Sequence, residues 1–271
     1  MPLKTLPCGN AAIAFRDSGS GEPILLVHAS LGADWFAPVE GCLPGHRVIR
    51  THRAGYGLSQ DLSRELTVAD HAEHLAKVLR DAGIERAHVV GHSSGGNVAL
   101  QLAAAQPELV RSLVLLEPAV VVPGESRSPA MGTAIAAARN GEWDLAFDTF
   151  LDSVVNPGFR DLLARTLGAA GMADSIRSSE YFFTYEIAAL VRWDAFAAGL
   201  ETLEQPTLLV DGGDGLLLGS PYHARNKALA ERIPHALLTT LPGVSHAMPL
   251  EDSALVAQTI VDFIRKHPIR G

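Results

Sequence analysis

The chain has 271 residues, of which 47% are hydrophobic and 19% charged, so it is long and apolar enough to bury a large globular core. Its formal net charge of −8 argues against nucleic acid or an anionic membrane as a partner. The two cysteines, Cys8 and Cys42, form no redox or metal-binding motif, and the N-terminus has no signal-peptide pattern. We therefore expect a cytoplasmic protein without a membrane-spanning segment.

Short apolar runs alternate with amphipathic helical patterns along the first part of the chain. One such helix is predicted from Thr67, a typical N-cap residue, to Ala82. Strands that alternate with helices at this spacing predict right-handed βαβ units and a mostly parallel sheet, in which ligands bind beyond the carboxyl ends of the strands. The predicted strands in this part are 2–6, 10–17, 24–28, 47–50, 87–91 and 112–116, the first two joined by a turn over 7–10.

One segment combines a buried strand, a single serine and a helix. Gly91-His92-Ser93-Ser94-Gly95 matches G-x-S-x-G, the nucleophile elbow, with the apolar Val89-Val90 before it and a helical pattern after it. The glycines allow the strand and the helix to approach closely through a sharp turn. Ser93 is therefore predicted to stand at the carboxyl end of the sheet, beside a helix N-terminus that favours a developing anion.

The alternation of strands and helices stops near residue 120 and resumes near residue 206. We interpret 120–200 as a helical lid inserted between two parts of one core domain, 1–119 and 201–271. A lid of this kind would exclude water and shape an apolar pocket. The predicted lid helices are 129–139, 142–154, 158–170, 173–178 and 180–191, and two further strands follow at 206–211 and 236–241.

A serine hydroxyl needs a base, an acid that orients the base, and donors for the oxyanion. His246 follows the last predicted strand and is the expected base. The acid has three candidates near strand ends. Asp214 is the first choice, Glu117 the alternative, and Asp211 the weakest.

The oxyanion donors are expected to be two backbone N–H groups. One belongs to Ser94, the residue after the nucleophile, and the other to Ser30, in the loop after the first buried strand. His28 in the same loop is interpreted as structural. His71 and His74 share a helix face, but no third ligand is indicated, so no metal site is expected.

Together these segments resemble the α/β-hydrolase superfamily over essentially the whole chain. The resemblance implies an eight-stranded, mostly parallel sheet flanked by helices, an inserted helical lid, and a Ser93–His246–Asp214 triad without a cofactor. Two features depart from the usual pattern: Ala29 replaces the glycine after His28, and the spacing from Gly212 to Asp214 is one residue short. Some members carry the acid after the sixth strand, where Glu117 stands. The segments that carry the resemblance are 25–28, 53–59, 89–96, 206–210 and 242–246.

We therefore predict a serine hydrolase that cleaves an ester, thioester or lactone of a small-to-medium apolar acyl compound. The alternative is a C–C bond hydrolase, a lyase or an acyl-transfer or cyclisation enzyme with the same triad, since a fold does not determine one reaction. A non-catalytic binder is the third hypothesis. A small-molecule substrate is the only partner expected, and the sequence leaves the natural substrate and the oligomeric state open.

Overall fold

A twisted sheet occupies the centre of the computed structural model, which describes residues 3–9, 11–59, 64–126, 128–197 and 199–269. Within these residues the sheet has eight strands in the order β1-β2-β4-β3-β5-β6-β7-β8. The first three strands in this order pair antiparallel, and all later pairs are parallel. The predicted fold class is confirmed. The strands are β1 (Lys4–Cys8), β2 (Ala11–Gly19), β3 (Pro23–Val27), β4 (Arg47–Thr51), β5 (Ala87–His92), β6 (Val110–Leu116), β7 (Thr207–Gly212) and β8 (Leu237–Leu241).

The central strands are continuous apolar runs because helices cover both faces of the sheet. Along β3, Leu25 and Val27 pack into one hydrophobic cluster, whereas Ile24 and Leu26 pack into the other. Successive side chains of a strand point to opposite faces, so each run supplies both layers of the core. This packing holds the carboxyl ends of β3, β5, β6 and β7 at one edge of the sheet, where the functional loops begin.

Helices lie between the strands from β3 onward and after the last strand. The predicted N-cap at Thr67 is confirmed: its hydroxyl accepts a hydrogen bond from the Asp70 backbone, and the Asp70 side chain accepts one from the Thr67 backbone N–H. No helix in the described part of the chain is long and apolar enough to cross a membrane. The helices are α1 (Ala37–Gly41), α2 (Val68–Asp81), α3 (Ser94–Ala105), α4 (Pro129–Arg139), α5 (Trp143–Leu151), α6 (Phe159–Tyr181), α7 (Ile187–Arg192), α8 (Gly213–Leu217), α9 (Tyr222–Ala230), α10 (Met248–Glu251) and α11 (Ser253–Ile264).

Helices α4 to α7 form one insertion between β6 and β7, which we call the helical insertion. The prediction of separate helices at 173–178 and 180–191 is wrong, because α6 continues to Tyr181 and a π-helical turn, Phe182–Glu186, joins it to α7. Gly168 has a non-helical backbone, with φ of 72° and ψ of 177°, and interrupts α6 with a kink near the end of the predicted helix 158–170. At the other end of the chain, β1 and β2 form the predicted hairpin, although Pro2 and Asn10 lie outside the described residues.

A buried ion pair joins the helical insertion to the loop after β4. Arg53 Nη1 donates to Glu186 Oε1 at 2.5 Å, and the Tyr56 hydroxyl donates to the other oxygen of the same carboxylate. Burial alone would raise the pKa of Glu186, but the charge and hydrogen bond of Arg53 hold that pKa below its ordinary value. Glu186 is therefore a buried anion that depends on its cationic partner.

We expect Glu186→Gln to destabilise the fold by about 3–5 kcal/mol, because it leaves the Arg53 charge buried without a counter-ion. The free energy of unfolding should be measured by urea denaturation. Glu201→Gln is the matched control, since Glu201 is exposed and should change stability by less than about 0.5 kcal/mol. A similar, small effect for both variants would contradict this account of the ion pair.

Candidate active site

The predicted nucleophile stands on a strained turn between β5 and α3. Ser93 has φ of 52° and ψ of −123°, a backbone conformation that residues other than glycine rarely adopt. Three backbone hydrogen bonds hold it there. The Ser93 N–H donates to the Leu116 carbonyl at 2.9 Å, and the Ser93 carbonyl accepts from Gly96 and Ala119 at 2.8 and 3.0 Å. The turn has the geometry that the sequence predicts for a nucleophile elbow.

The glycines of the elbow have a steric cause. A Cβ atom on Gly95 would lie 2.3 Å from the Val27 carbonyl oxygen, and one on Gly91 would lie 2.6 Å from the Gly95 oxygen. Because both clashing atoms are backbone oxygens, neither clash could be relieved without moving the backbone. The helix can therefore approach β3 and β5 only because both positions lack a side chain.

His246 lies in the loop between β8 and α10 and is held by contacts on several sides. Its Nδ1 atom donates to Glu117 Oε2 at 2.6 Å, and both side chains are buried. Its backbone carbonyl accepts from His92 Nε2 at 2.8 Å, and its N–H donates to the Val154 carbonyl of the helical insertion at 3.2 Å. A carboxylate at Nδ1 leaves Nε2 as the basic nitrogen, which is the arrangement that general-base catalysis requires.

Glu117, not Asp214, is the carboxylate that the structure places on His246. Glu117 directly follows β6 with φ of 44°, and its second oxygen accepts the Gly212 N–H at 2.8 Å. This backbone donor at the end of β7 fixes the carboxylate toward the histidine. The expectation that Asp214 orients His246 is therefore wrong.

The two aspartates near the end of β7 have other partners. Because β7 runs directly into α8, Asp214 lies in the first turn of that helix, and its carboxylate accepts from Asn156 Nδ2 of the helical insertion at 3.0 Å. Asp211 contacts His223 Nδ1 and Asn226 Nδ2, each at 2.6 Å. Asp214 thus anchors the helical insertion, and Asp211 braces β7 against α9.

Tyr222, the first residue of α9, was not anticipated from the sequence. Its ring stacks on the His246 ring, with centroids 4.0 Å apart and planes inclined by 3°. Its hydroxyl interacts with the side chain of Ser93, and Arg225 lies over the Tyr222 ring at 5.2 Å. Tyr222 therefore places Ser93 and His246 on the same side of the sheet. No local pattern in the sequence marks it, because the contact joins elements far apart in the chain.

Burial shifts the pKa values of the site toward uncharged forms. Burial raises the pKa of Glu117 to about 8, against the lowering effect of the Gly212 N–H. Burial, assisted by the charge of Arg225, lowers the pKa of His246 to about 3. Burial also raises the pKa of Tyr222 to about 12, so its hydroxyl keeps its proton at neutral pH.

The two expected oxyanion residues meet beside the elbow. The Ser30 hydroxyl donates to Ser94 Oγ at 2.8 Å. His28 is structural, as expected: its Nε2 atom accepts the Arg53 N–H at 2.8 Å, so Nδ1 carries the proton that bonds the Ala29 carbonyl at 2.5 Å. The loop after β3 is thus fixed against the loop after β4.

Histidine and acidic side chains elsewhere do not assemble into a metal centre in the part of the chain that the structure describes. The His71 and His74 rings lie 6.3 Å apart on α2. Burial lowers the pKa of His71 to about 3, so this side chain is neutral in the core.

Comparison with known proteins relates this geometry to one family. The alpha/beta hydrolase fold model matches residues 22–253. Two relatives are named "Putative carbamate hydrolase RutD". The one from Azorhizobium caulinodans is 38% identical over 111 residues, which span 40% of this chain and 42% of that protein. The one from Pseudomonas savastanoi pv. phaseolicola is 27% identical over 254 residues, which span 89% and 93%.

Two further similarities extend over nearly the whole chain. The 2-hydroxymuconate semialdehyde hydrolase of Pseudomonas sp. strain CF600 is 26% identical over 275 residues, covering 92% of this chain and 89% of that protein. The solved structure of a thermophilic esterase from Thermogutta terrifontis superimposes with a TM-score of 0.81 at 23% identity, covering 99% of this chain and 100% of that one. At this level of identity the structural likeness establishes the fold alone.

Proposed function

The chain belongs to the alpha/beta hydrolase fold family, and from this we propose that it is a serine hydrolase acting on an ester, thioester or lactone of a small-to-medium apolar acyl compound. The observation that carries the proposal is the Glu117–His246 pair, joined at 2.6 Å beside a serine on a strained elbow. Such a chain of acid, imidazole and hydroxyl is the general means of activating a serine.

In the proposed reaction Ser93 attacks the substrate carbonyl while His246 Nε2 takes the hydroxyl proton. Ionised Glu117 accepts a hydrogen bond from Nδ1 and stabilises the imidazolium that forms. The backbone N–H groups of Ser30 and Ser94 hold the oxyanion. His246 then protonates the leaving group, and a water molecule hydrolyses the acyl-enzyme by the same steps in reverse order.

The helical insertion serves as a lid in this proposal. Its segment between α5 and α6 contacts the histidine loop twice, since Val154 accepts from His246 and Asn156 N donates to Ser245 Oγ at 2.9 Å. Asn156 Nδ2 also donates to Asp214 in α8. Residues 120–200 would therefore exclude water from the reacting atoms and shape the acyl site.

A C–C bond hydrolase with the same triad is the second candidate. The similarity to the 2-hydroxymuconate semialdehyde hydrolase favours it, since that protein matches over 92% of this chain. The relatives named as carbamate hydrolases favour an amide-like or carbamate substrate as a third class. All three classes pass through attack on a carbonyl group or proton transfer at a carbonyl-bearing carbon.

A substrate panel distinguishes these classes. We expect para-nitrophenyl esters of short acyl chains, thioesters and simple lactones to be hydrolysed with higher kcat/KM than an aryl carbamate or a vinylogous 1,5-diketone. Faster cleavage of the diketone would replace the ester assignment with C–C hydrolysis. No turnover of any member, together with reversible binding of the esters, would support the non-catalytic reading instead.

Tyr222→Phe should make Ser93 more reactive. The substitution keeps the ring stacked on His246 but removes the hydroxyl that interacts with Ser93. One neutral hydrogen bond contributes about 1 kcal/mol, so the second-order rate of Ser93 phosphonylation by a fluorophosphonate should rise about fivefold. Tyr222→Ala is the contrasting variant, in which loss of the stacked ring should lower the rate. A lower rate for Tyr222→Phe would show that the hydroxyl assists attack.

The pH dependence of kcat/KM should follow the ionisation of Glu117. Below its pKa of about 8 the carboxyl group is protonated and has no negative charge to stabilise the imidazolium of His246, whereas above that pH it is ionised. His246 is already neutral above a pKa of about 3. The kcat/KM measured over about pH 5 to 10 should therefore rise toward a plateau above about pH 8. A plateau already reached near pH 6.5 would assign control to a histidine of ordinary pKa.

A further inference from the structure

Arg53 contacts Ser94 and the loop that carries Ser30, the two segments that supply the proposed oxyanion donors. It lies in the loop after β4 and is completely buried. Its Nε atom donates to the His28 carbonyl at 3.1 Å, and its Nη2 atom donates to Ser94 Oγ at 2.8 Å. His28 begins the loop that carries Ser30, so one guanidinium reaches both the loop after β3 and the elbow.

The Ser30 hydroxyl closes this arrangement into a ring of contacts. Ser94 Oγ accepts one hydrogen bond from Ser30 Oγ and one from Arg53, which uses both acceptor positions of a hydroxyl. The backbone N–H of Arg53 also donates to His28 Nε2. The separation of the Ser30 and Ser94 backbones is thus set by the direct hydrogen bond between their side chains and by a second path through His28 and Arg53.

The remaining face of the guanidinium is held by the helical insertion. Glu186 accepts from Arg53 Nη1, and Tyr56, whose ring lies 4.9 Å from the Arg53 carbon Cζ, donates to the same carboxylate. Arginine can meet these partners together because its planar fork has five donors and keeps its charge when buried. A lysine ammonium in this position could not reach the same set.

We propose that Arg53 is a positioning residue of the oxyanion hole, which holds the Ser30 loop and the Ser94 elbow at the separation that the tetrahedral intermediate requires. The inference rests on the proposed serine hydrolase function. Donors contribute to catalysis when they are already placed around the developing anion, so a loosened hole loses rate in the transition state and little substrate binding.

Three variants and one control test the proposal with para-nitrophenyl butyrate as substrate. Ser94→Ala removes only the side-chain link, because the backbone N–H of residue 94 stays. We expect its kcat to fall at least about tenfold with KM within about twofold of the wild type, and the rate of fluorophosphonate labelling to fall by the same factor. Arg53→Lys should lose at least about a hundredfold in kcat.

The double variant separates positioning from a general effect on the fold. Because both substitutions cut the Arg53–Ser94 bond, the loss of kcat in the double variant should be clearly smaller than the product of the two single losses. Ser112→Ala is the matched control. Ser112 is a buried serine bonded to His88 at 2.7 Å in the sheet, and its variant should keep wild-type kcat and KM.

Wild-type kcat in Ser94→Ala would overturn the proposal, as would effects that multiply in the double variant or an equal loss in Ser112→Ala. If Arg53→Lys fails to fold, Ser94→Ala and its control decide the question alone. Different results would contradict the proposed hydrolase function and the proposed role of Arg53. An ester activity that survives Ser93→Ala overturns the proposed function and this proposal with it, whereas a Ser93-dependent activity unaffected by Ser94→Ala overturns only the role of Arg53.

Discussion

Glu117→Gln is expected to lower kcat about 10⁴-fold while leaving KM within about threefold. The amide keeps the size of the side chain and an oxygen for the Gly212 N–H, but its NH₂ group would donate to His246 Nδ1 instead of accepting from it. The proton of the neutral imidazole would then sit on Nε2, where it blocks removal of the Ser93 proton. Initial rates of ester hydrolysis and a thermal unfolding scan of each variant would measure the effect.

Asp214→Asn is the matched control, because it makes the same change on the carboxylate that the sequence favours. Asp214 bonds Asn156 in the helical insertion, so this variant should keep kcat within about threefold of the wild type. A full loss in Asp214→Asn with normal activity in Glu117→Gln would restore Asp214 as the acid and contradict the geometry described above.

Ser93→Ala should have the largest effect, a loss of about 10⁶-fold in kcat on any ester that the wild type hydrolyses. It removes the hydroxyl that the proposed mechanism acylates, so the acyl-enzyme on residue 93 cannot form. The alanine variant should still bind substrate, since the oxyanion donors and the helical insertion are unchanged. Steady-state rates with highly purified variant protein would measure the loss.

His92→Asn provides a control for that substitution, because it changes the neighbouring side chain without touching the hydroxyl. The His92 ring bonds the His246 carbonyl at 2.8 Å, so we expect a loss well below that of Ser93→Ala. Residual activity of Ser93→Ala above about one per cent of the wild type would exclude Ser93 as the nucleophile.

The elbow and the sheet could be predicted because their causes are local. A buried strand, two glycines and an apolar helix face are all visible within 87–103, and close backbone approach at Gly91 and Gly95 accounts for the pattern. His246 was found because it follows the last strand of the sheet, at the edge where Ser93 also stands. The alternation of strands and helices in the sequence already places Ser93 and His246 at the same edge of the sheet.

The acid could not be chosen from the sequence because Glu117 and Asp214 both follow strands that end at the same edge. What separates them is the direction of the chain after β7, which turns into α8 at Gly213 and carries Asp214 toward Asn156. The Gly212 N–H then holds Glu117 on the histidine. Neither a helix of five residues nor a single backbone donor leaves a recognisable pattern in the sequence.

Tyr222 and the Arg53–Glu186 pair were missed for a related reason. Arg53 and Glu186 are 133 residues apart in the chain, and the pair exists only once the helical insertion has packed on the core. Buried ion pairs and ring stacks form only through tertiary contacts. The residue types alone therefore predict that Arg53 is solvated and that Tyr222 is an ordinary core residue.

Covalent labelling tests most directly whether His246 makes Ser93 nucleophilic. The wild-type protein should be treated with a fluorophosphonate, and the adduct located by intact mass and peptide mapping. We predict one phosphonyl group per chain, on Ser93, and slow or absent labelling of His246→Ala under the same conditions. An adduct on another residue, or labelling of His246→Ala at the wild-type rate, would contradict the account.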